Sequence, residues 1–70
     1  MSPINHIGIL TRSIEQGHAG EVTVLFPEGS RMFLARAETH EITLPQGTPV
    51  RVLQLDSGGL ATVIELSHNQ

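Results

Sequence analysis

Cysteine is absent from this chain, and so are lysine, tryptophan and tyrosine. Without cysteine there is no disulfide, no thiolate zinc site and no cysteine nucleophile. Without lysine there is no Schiff base, no biotin or lipoate attachment point and no P-loop, whose Lys contacts the phosphates. Aromatic side chains are reduced to Phe26 and Phe33. No run approaches the ~20 apolar residues that a membrane-spanning helix needs, and no basic-then-apolar leader opens the chain. As given, the molecule reads as soluble.

What is present points to packing. The 70 residues make one domain at most, and a chain this short buries only about 60% of the surface that its unfolded form exposes. Apolar residues make up 39% of it, mostly Ile, Leu and Val, and β-branched side chains suit pleated, half-buried surfaces. All four basic residues are arginines (Arg12, Arg31, Arg36 and Arg51), and the formal net charge is −3. A net-negative surface repels phosphate backbones.

Glycine and proline divide the sequence into strand-length pieces. The breaks fall at Gly17 and Gly20, at Pro27-Glu28-Gly29, at Pro45-Gln46-Gly47 and at Asp56-Ser57-Gly58-Gly59. Five strands are expected between them, roughly Ile7–Ile14, Glu21–Phe26, Arg31–Glu38, Val50–Leu55 and Leu60–Leu66. In the second, Val22, Val24 and Phe26 share a face. In the third, Phe33, Ala35 and Ala37 lie opposite Met32 and Leu34. In the fourth, the apolar phase slips between Val50/Val52 and Leu53/Leu55, which predicts a β-bulge or strong bend. In the fifth, Leu60, Ile64 and Leu66 lie opposite Ala61 and Val63. The stretch Thr39 to Gln46 has no clear strand. Ile42 and Leu44 are spaced for a short strand or an extended link; a single helical turn also fits, but Thr43 and Pro45 oppose a long helix.

Five evenly spaced strands with glycine-rich turns predict an all-β fold, a small five-stranded barrel. The OB-fold, a five-stranded Greek-key barrel, matches by count and length, with an SH3-like barrel as the alternative. The chain reads as one domain over 1–70, with an ordered core of about 6–66.

Chemistry-bearing residues are scattered. His6, His18, His40 and His68 show no ligand spacing. Glu15, Glu21, Glu28, Glu38, Glu41, Asp56 and Glu65 form no sequence pair of the kind acid–base catalysis uses. The serines Ser2, Ser13, Ser30, Ser57 and Ser67 lack a Gly-x-Ser-x-Gly elbow. Gly17-His18-Ala19-Gly20 could be a phosphate cradle, but no helix pattern follows it, and a turn into the second strand accounts for it better. Phe26 and Phe33 could stack the bases of a single strand, yet each sits in an alternating apolar stripe and is expected in the core. The reading is therefore of no catalytic, cofactor-binding or metal-binding residue: a binding module and not an enzyme. Self-association through barrel edges or a Met32/Leu34 stripe is a further expectation, with single-stranded nucleic-acid binding the alternative function.

Between Ile7 and Val63 the chain resembles the C-terminal domain of NfeD-like membrane proteins. The resemblance rests on elements in order: Ile7-Gly8 with Ile14 six residues beyond that glycine; Gly17-His18-Ala19-Gly20-Glu21-Val22; Ala35 or Ala37 ending the third strand; Ile42 followed by Gly47-Thr48-Pro49-Val50-Arg51-Val52; and the closing hairpin from Leu55 to Val63. The Gly-x-x-Gly-Glu-Val element is similar to the subgroup that works beside flotillin-like proteins. The resemblance implies an OB-fold held outside the bilayer by a membrane-anchored parent, on the cytoplasmic face. It also implies a stomatin- or flotillin-type scaffold as partner in membrane-domain organisation. The bilayer-spanning part of such proteins has no counterpart in these residues, nor has the serine protease domain of some longer relatives.

Overall fold

Strand β1 (Ile7–Arg12) alternates between solvent and core, with Gly8 and Leu10 inward. That alternation is repeated in β2 (Gly20–Phe26), β3 (Gly29–Ala37), β4 (Pro49–Leu55) and β5 (Leu60–Glu65). The computed structural model describes residues 2–39 and 42–66. The five strands close into a barrel in the order β1-β2-β3-β5-β4, with β4 returning to β1. All neighbours are antiparallel except β3 and β5, which run parallel from Leu34↔Leu60 to Ala37↔Val63. This is an all-β, closed five-stranded barrel, consistent with the OB-fold.

The interior is narrow, and its residues are accordingly small. Val22, Val24, Val50, Val52 and Val63 are fully buried, together with Leu10, Ala35 and Ala61. Gly8 faces the same interior from β1. A methyl group there would meet the Thr23 carbonyl oxygen at 2.7 Å and a Val22 methyl at 2.8 Å. The valines of β2 thus occupy the space a β1 side chain would need, and glycine is the residue that fits.

The two ends of the barrel are closed differently. At one, Ile14 and Leu44 exchange backbone hydrogen bonds of 2.8 and 2.9 Å and bury both side chains. The segment between β3 and β4, which reads as strandless in sequence, therefore plugs the barrel with Leu44; no helix forms among its described residues. Thr48 locks the entrance to β4, its hydroxyl donating to the Pro45 carbonyl at 2.6 Å. At the other end, Phe26 is buried and the His6 ring tilts against it, with centroids 4.9 Å apart.

Strand ends shift by a few residues from the sequence reading. The first strand stops at Arg12, because a bulge between Leu10 and Arg12 turns the chain and sends Ile14 to the plug. The predicted phase slip in the fourth strand is a bulge between Val52 and Gln54. The third strand starts earlier, at Gly29, because Phe26↔Gly29 closes a tight hairpin over Pro27-Glu28. Gly20 begins β2 where β1 ends, and a Cβ there would lie 2.4 Å from the Arg12 carbonyl oxygen and 2.5 Å from that of Ser13. Glycine lets the two backbones cross.

Candidate interaction surface

The side chains that leave the barrel on β1, β2 and β3 form one apolar face. In register, Ile9 lies beside Thr23 and Thr23 beside Met32. One step along, Leu34 pairs with Glu21, and on the other side Leu25 pairs with Ser30. Leu25 is 70% exposed and Met32 65% exposed, and Ile7, Ile9 and Leu34 are each about half exposed. Five large apolar side chains thus stand in solvent on adjacent strands. Single exposed apolar residues need no explanation, whereas a group of five on three adjacent strands is a candidate contact surface.

Polar side chains stand among and beside these residues. Arg12 reaches Glu21 at 3.5 Å, and the Thr23 hydroxyl donates to the Thr11 hydroxyl at 3.4 Å. An exposed ion pair of this kind contributes at most about 1 kcal/mol.

Clefts also lie elsewhere among the described residues. A 240 Å³ cleft beside the Leu44 plug has Ile42 and Ile64 on its walls and Glu38 and Glu65 at its lip. It is smaller than the ~300–1,000 Å³ sites that hold small ligands. A 420 Å³ polar depression on the β3–β5–β4 side contains Arg36, Gln54, Asp56 and Thr62. The Arg36 Nε is buried there with no partner among the described residues.

The residues singled out in sequence do not converge. Among the described residues, no group of three or more His, Asp or Glu is placed to hold a metal ion. His18 sits in the turn before β2, exchanging backbone hydrogen bonds with Glu15. Gly17 adopts φ 81° in that turn, so Gly17-His18-Ala19-Gly20 is a turn leading into a strand, without the helix N-terminus a phosphate cradle uses. His40, Glu41, Ser67 and His68 lie outside the described residues. Phe26 is core; Phe33 is partly buried and packs against the core, with the Arg31 guanidinium 5.6 Å from its ring centre. Sequence reasoning found Met32 and Leu34 but missed that Ile7, Ile9 and Leu25 join them. The signal was present, since each alternates with a core residue, but the adjacency depends on strand register.

The sequence matches the family model of the NfeD C-terminal domain over residues 7–64. The chain belongs to that family. No curated protein shows significant similarity to it. Two solved structures share its fold. The soluble domain of the NfeD protein YuaF from Bacillus subtilis superposes with a TM-score of 0.76 at 18% identity, covering 93% of this chain and 75% of that one. The soluble domain of a membrane protein implicated in regulation of membrane protease activity, from Corynebacterium glutamicum, gives 0.75 at 20% identity, covering 93% and 94%. The NfeD assignment agrees with the resemblance seen in sequence. No helix among the described residues of this NfeD domain is long and apolar enough to cross a membrane.

Proposed function

We propose that this NfeD domain is a non-enzymatic protein–protein interaction module. In this reading it docks its membrane-anchored parent onto a stomatin- or flotillin-type scaffold at the cytoplasmic face of the membrane. The observation that carries the docking role is the apolar face of Ile7, Ile9, Leu25, Met32 and Leu34, exposed on three adjacent strands. A rigid sheet face pays little ordering entropy on binding. The scaffold class comes from the family resemblance, and the face is where such a partner would find apolar area.

Single-stranded nucleic-acid binding has less support. Phe26 is buried, the chain carries a net charge of −3, and the exposed face offers aliphatic side chains in place of stacking rings.

The test is capture from membrane extract on the immobilised chain, read by mass spectrometry, with Leu25→Lys beside the unmodified chain. The expected result is a stomatin- or flotillin-type protein that is recovered by the unmodified chain and lost with the variant. Leu25 is largely exposed, so the substitution leaves the fold intact. Recovery of nuclease-sensitive material in place of a scaffold, or undiminished scaffold capture by Leu25→Lys, refutes the reading.

A further inference from the structure

The barrel is closed along most of its circumference but open at one short segment of β3. Along this strand the even-numbered residues turn their backbone groups toward β5. The Glu38 N–H donates to the Val63 carbonyl at 2.9 Å, and Leu34 and Arg36 pair with Leu60 and Thr62 on the same side. Strand β5 begins only at Leu60, opposite Leu34. Ser30 and Met32 therefore point their N–H and C=O groups away from β2 with no strand to receive them, and neither makes a hydrogen bond there among the described residues. Both residues are exposed.

An unpaired edge is a template for another strand. We propose that two copies of this chain pair antiparallel along it, with Ser30 of each copy opposite Met32 of the other. That register satisfies all four free groups of each copy through two reciprocal pairs of hydrogen bonds. The occupant is a second copy because of the edge's length. It is bounded by the Pro27-Glu28 turn on one side and by β5 on the other, so it spans roughly 10 Å. A longer foreign strand finds nothing further to pair with. A second copy, in contrast, brings its own Met32 and Leu25 alongside. It makes the apolar faces of the two three-stranded halves continuous across the junction.

The same geometry keeps the pairing weak. A stable dimer buries roughly 800 Å² on each partner, far more than a three-residue edge supplies. The register also sets Arg31 of one copy opposite Arg31 of the other, and like charges directly opposed are unfavourable. Pairing should therefore appear at high local concentration, as for chains held on one membrane, and should strengthen with salt as the arginines are screened.

The experiment follows the purified chain alone by sedimentation and by amide NMR from about 0.05 to 1 mM, a range suited to a sub-standard interface. The expected result is a mass rising toward the dimer, larger at high salt, with concentration-dependent shifts at the Ser30 and Met32 amides. Met32→Pro removes the free donor without touching the β2 ladder, and an edge strand tolerates it; it should weaken association about tenfold or more. Arg31→Ser should strengthen it. A constant monomer mass up to the highest concentration overturns the proposal. So do shifts confined to other residues, an unchanged dimer in Met32→Pro, or Ser30 and Met32 shifts that appear only on adding phosphatidylcholine vesicles. Because no scaffold is present, failure here leaves the docking role untouched, and failure of scaffold capture leaves self-pairing untouched.

Discussion

Replacing Gly20 by alanine should be among the most damaging single-methyl changes in this protein. The added Cβ would sit 2.4 Å from the Arg12 carbonyl oxygen and 2.5 Å from that of Ser13, where ordinary contact begins at 3.4 Å. The two strands would have to separate by roughly 1 Å at the crossing. Overpacking a core costs about 1–3 kcal/mol when side chains can adjust. Here the obstacles are backbone oxygens flanking the β1 bulge, so the cost belongs at the upper end, about 3 kcal/mol. A domain of this size has roughly 3.5–10 kcal/mol in total, and the melting temperature should fall by about 12–24 °C. The control is Gly58→Ala. Gly58 has no left-handed φ, and its nearest neighbour to a new Cβ is an Asp56 carboxylate oxygen at 3.5 Å. Alanine there should be neutral or stabilising by up to about 1 kcal/mol through the unfolded chain. Urea and thermal unfolding followed by far-ultraviolet circular dichroism suit both variants, since neither Trp nor Tyr is available as a fluorophore. If Gly20→Ala unfolds within about 0.5 kcal/mol of Gly58→Ala, the two backbones do not cross closely enough to exclude a methyl group.

Two further predictions concern packing and turns. Leu10→Ala removes a side chain that is 1% exposed in an interior built mostly of valine and alanine, and should cost about 3 kcal/mol in urea unfolding; a loss below about 1 kcal/mol would mean that the barrel collapses onto the cavity. The Asp56 carboxylate accepts from the Gly58 and Leu60 N–H groups at 2.9 and 3.0 Å, so Asp56→Ala should cost about 1–2 kcal/mol, with Asp56→Asn recovering part of it; equal losses in both variants would show that these bonds do not hold the hairpin.

Legibility in the sequence followed the range of the interaction. Strand faces depend on neighbours two residues apart, and Val22/Val24/Phe26 and Phe33/Ala35/Ala37 were readable for that reason. The β4 bulge was readable too, because a phase slip is a local pattern. The Ile14–Leu44 plug was not, since twenty-nine intervening positions hide the pairing. Gly8 and Gly20 could be seen as glycines, but what crowds them comes from other strands. The exposed apolar face shows both sides. Met32 and Leu34 were visible as an outward stripe, while their union with Ile7, Ile9 and Leu25 required the register of three strands. Arg36 gave no sequence sign of its buried Nε.

The parallel β3–β5 pair has a consequence for how the chain reaches this structure. β1–β2–β3 is a meander of sequential neighbours, and β4–β5 is a hairpin. Both can form early, because their loops are short. Neither β1–β4 nor β3–β5 can form until the hairpin docks, and it must dock on both sides of the meander together to close the ring. Folding should therefore be slow for so small a chain, limited by that docking. While it waits, the meander presents two bare edges, the whole lengths of β1 and β3. Refolding yield should then fall as protein concentration rises, with the hairpin competing against other meanders for the same strands.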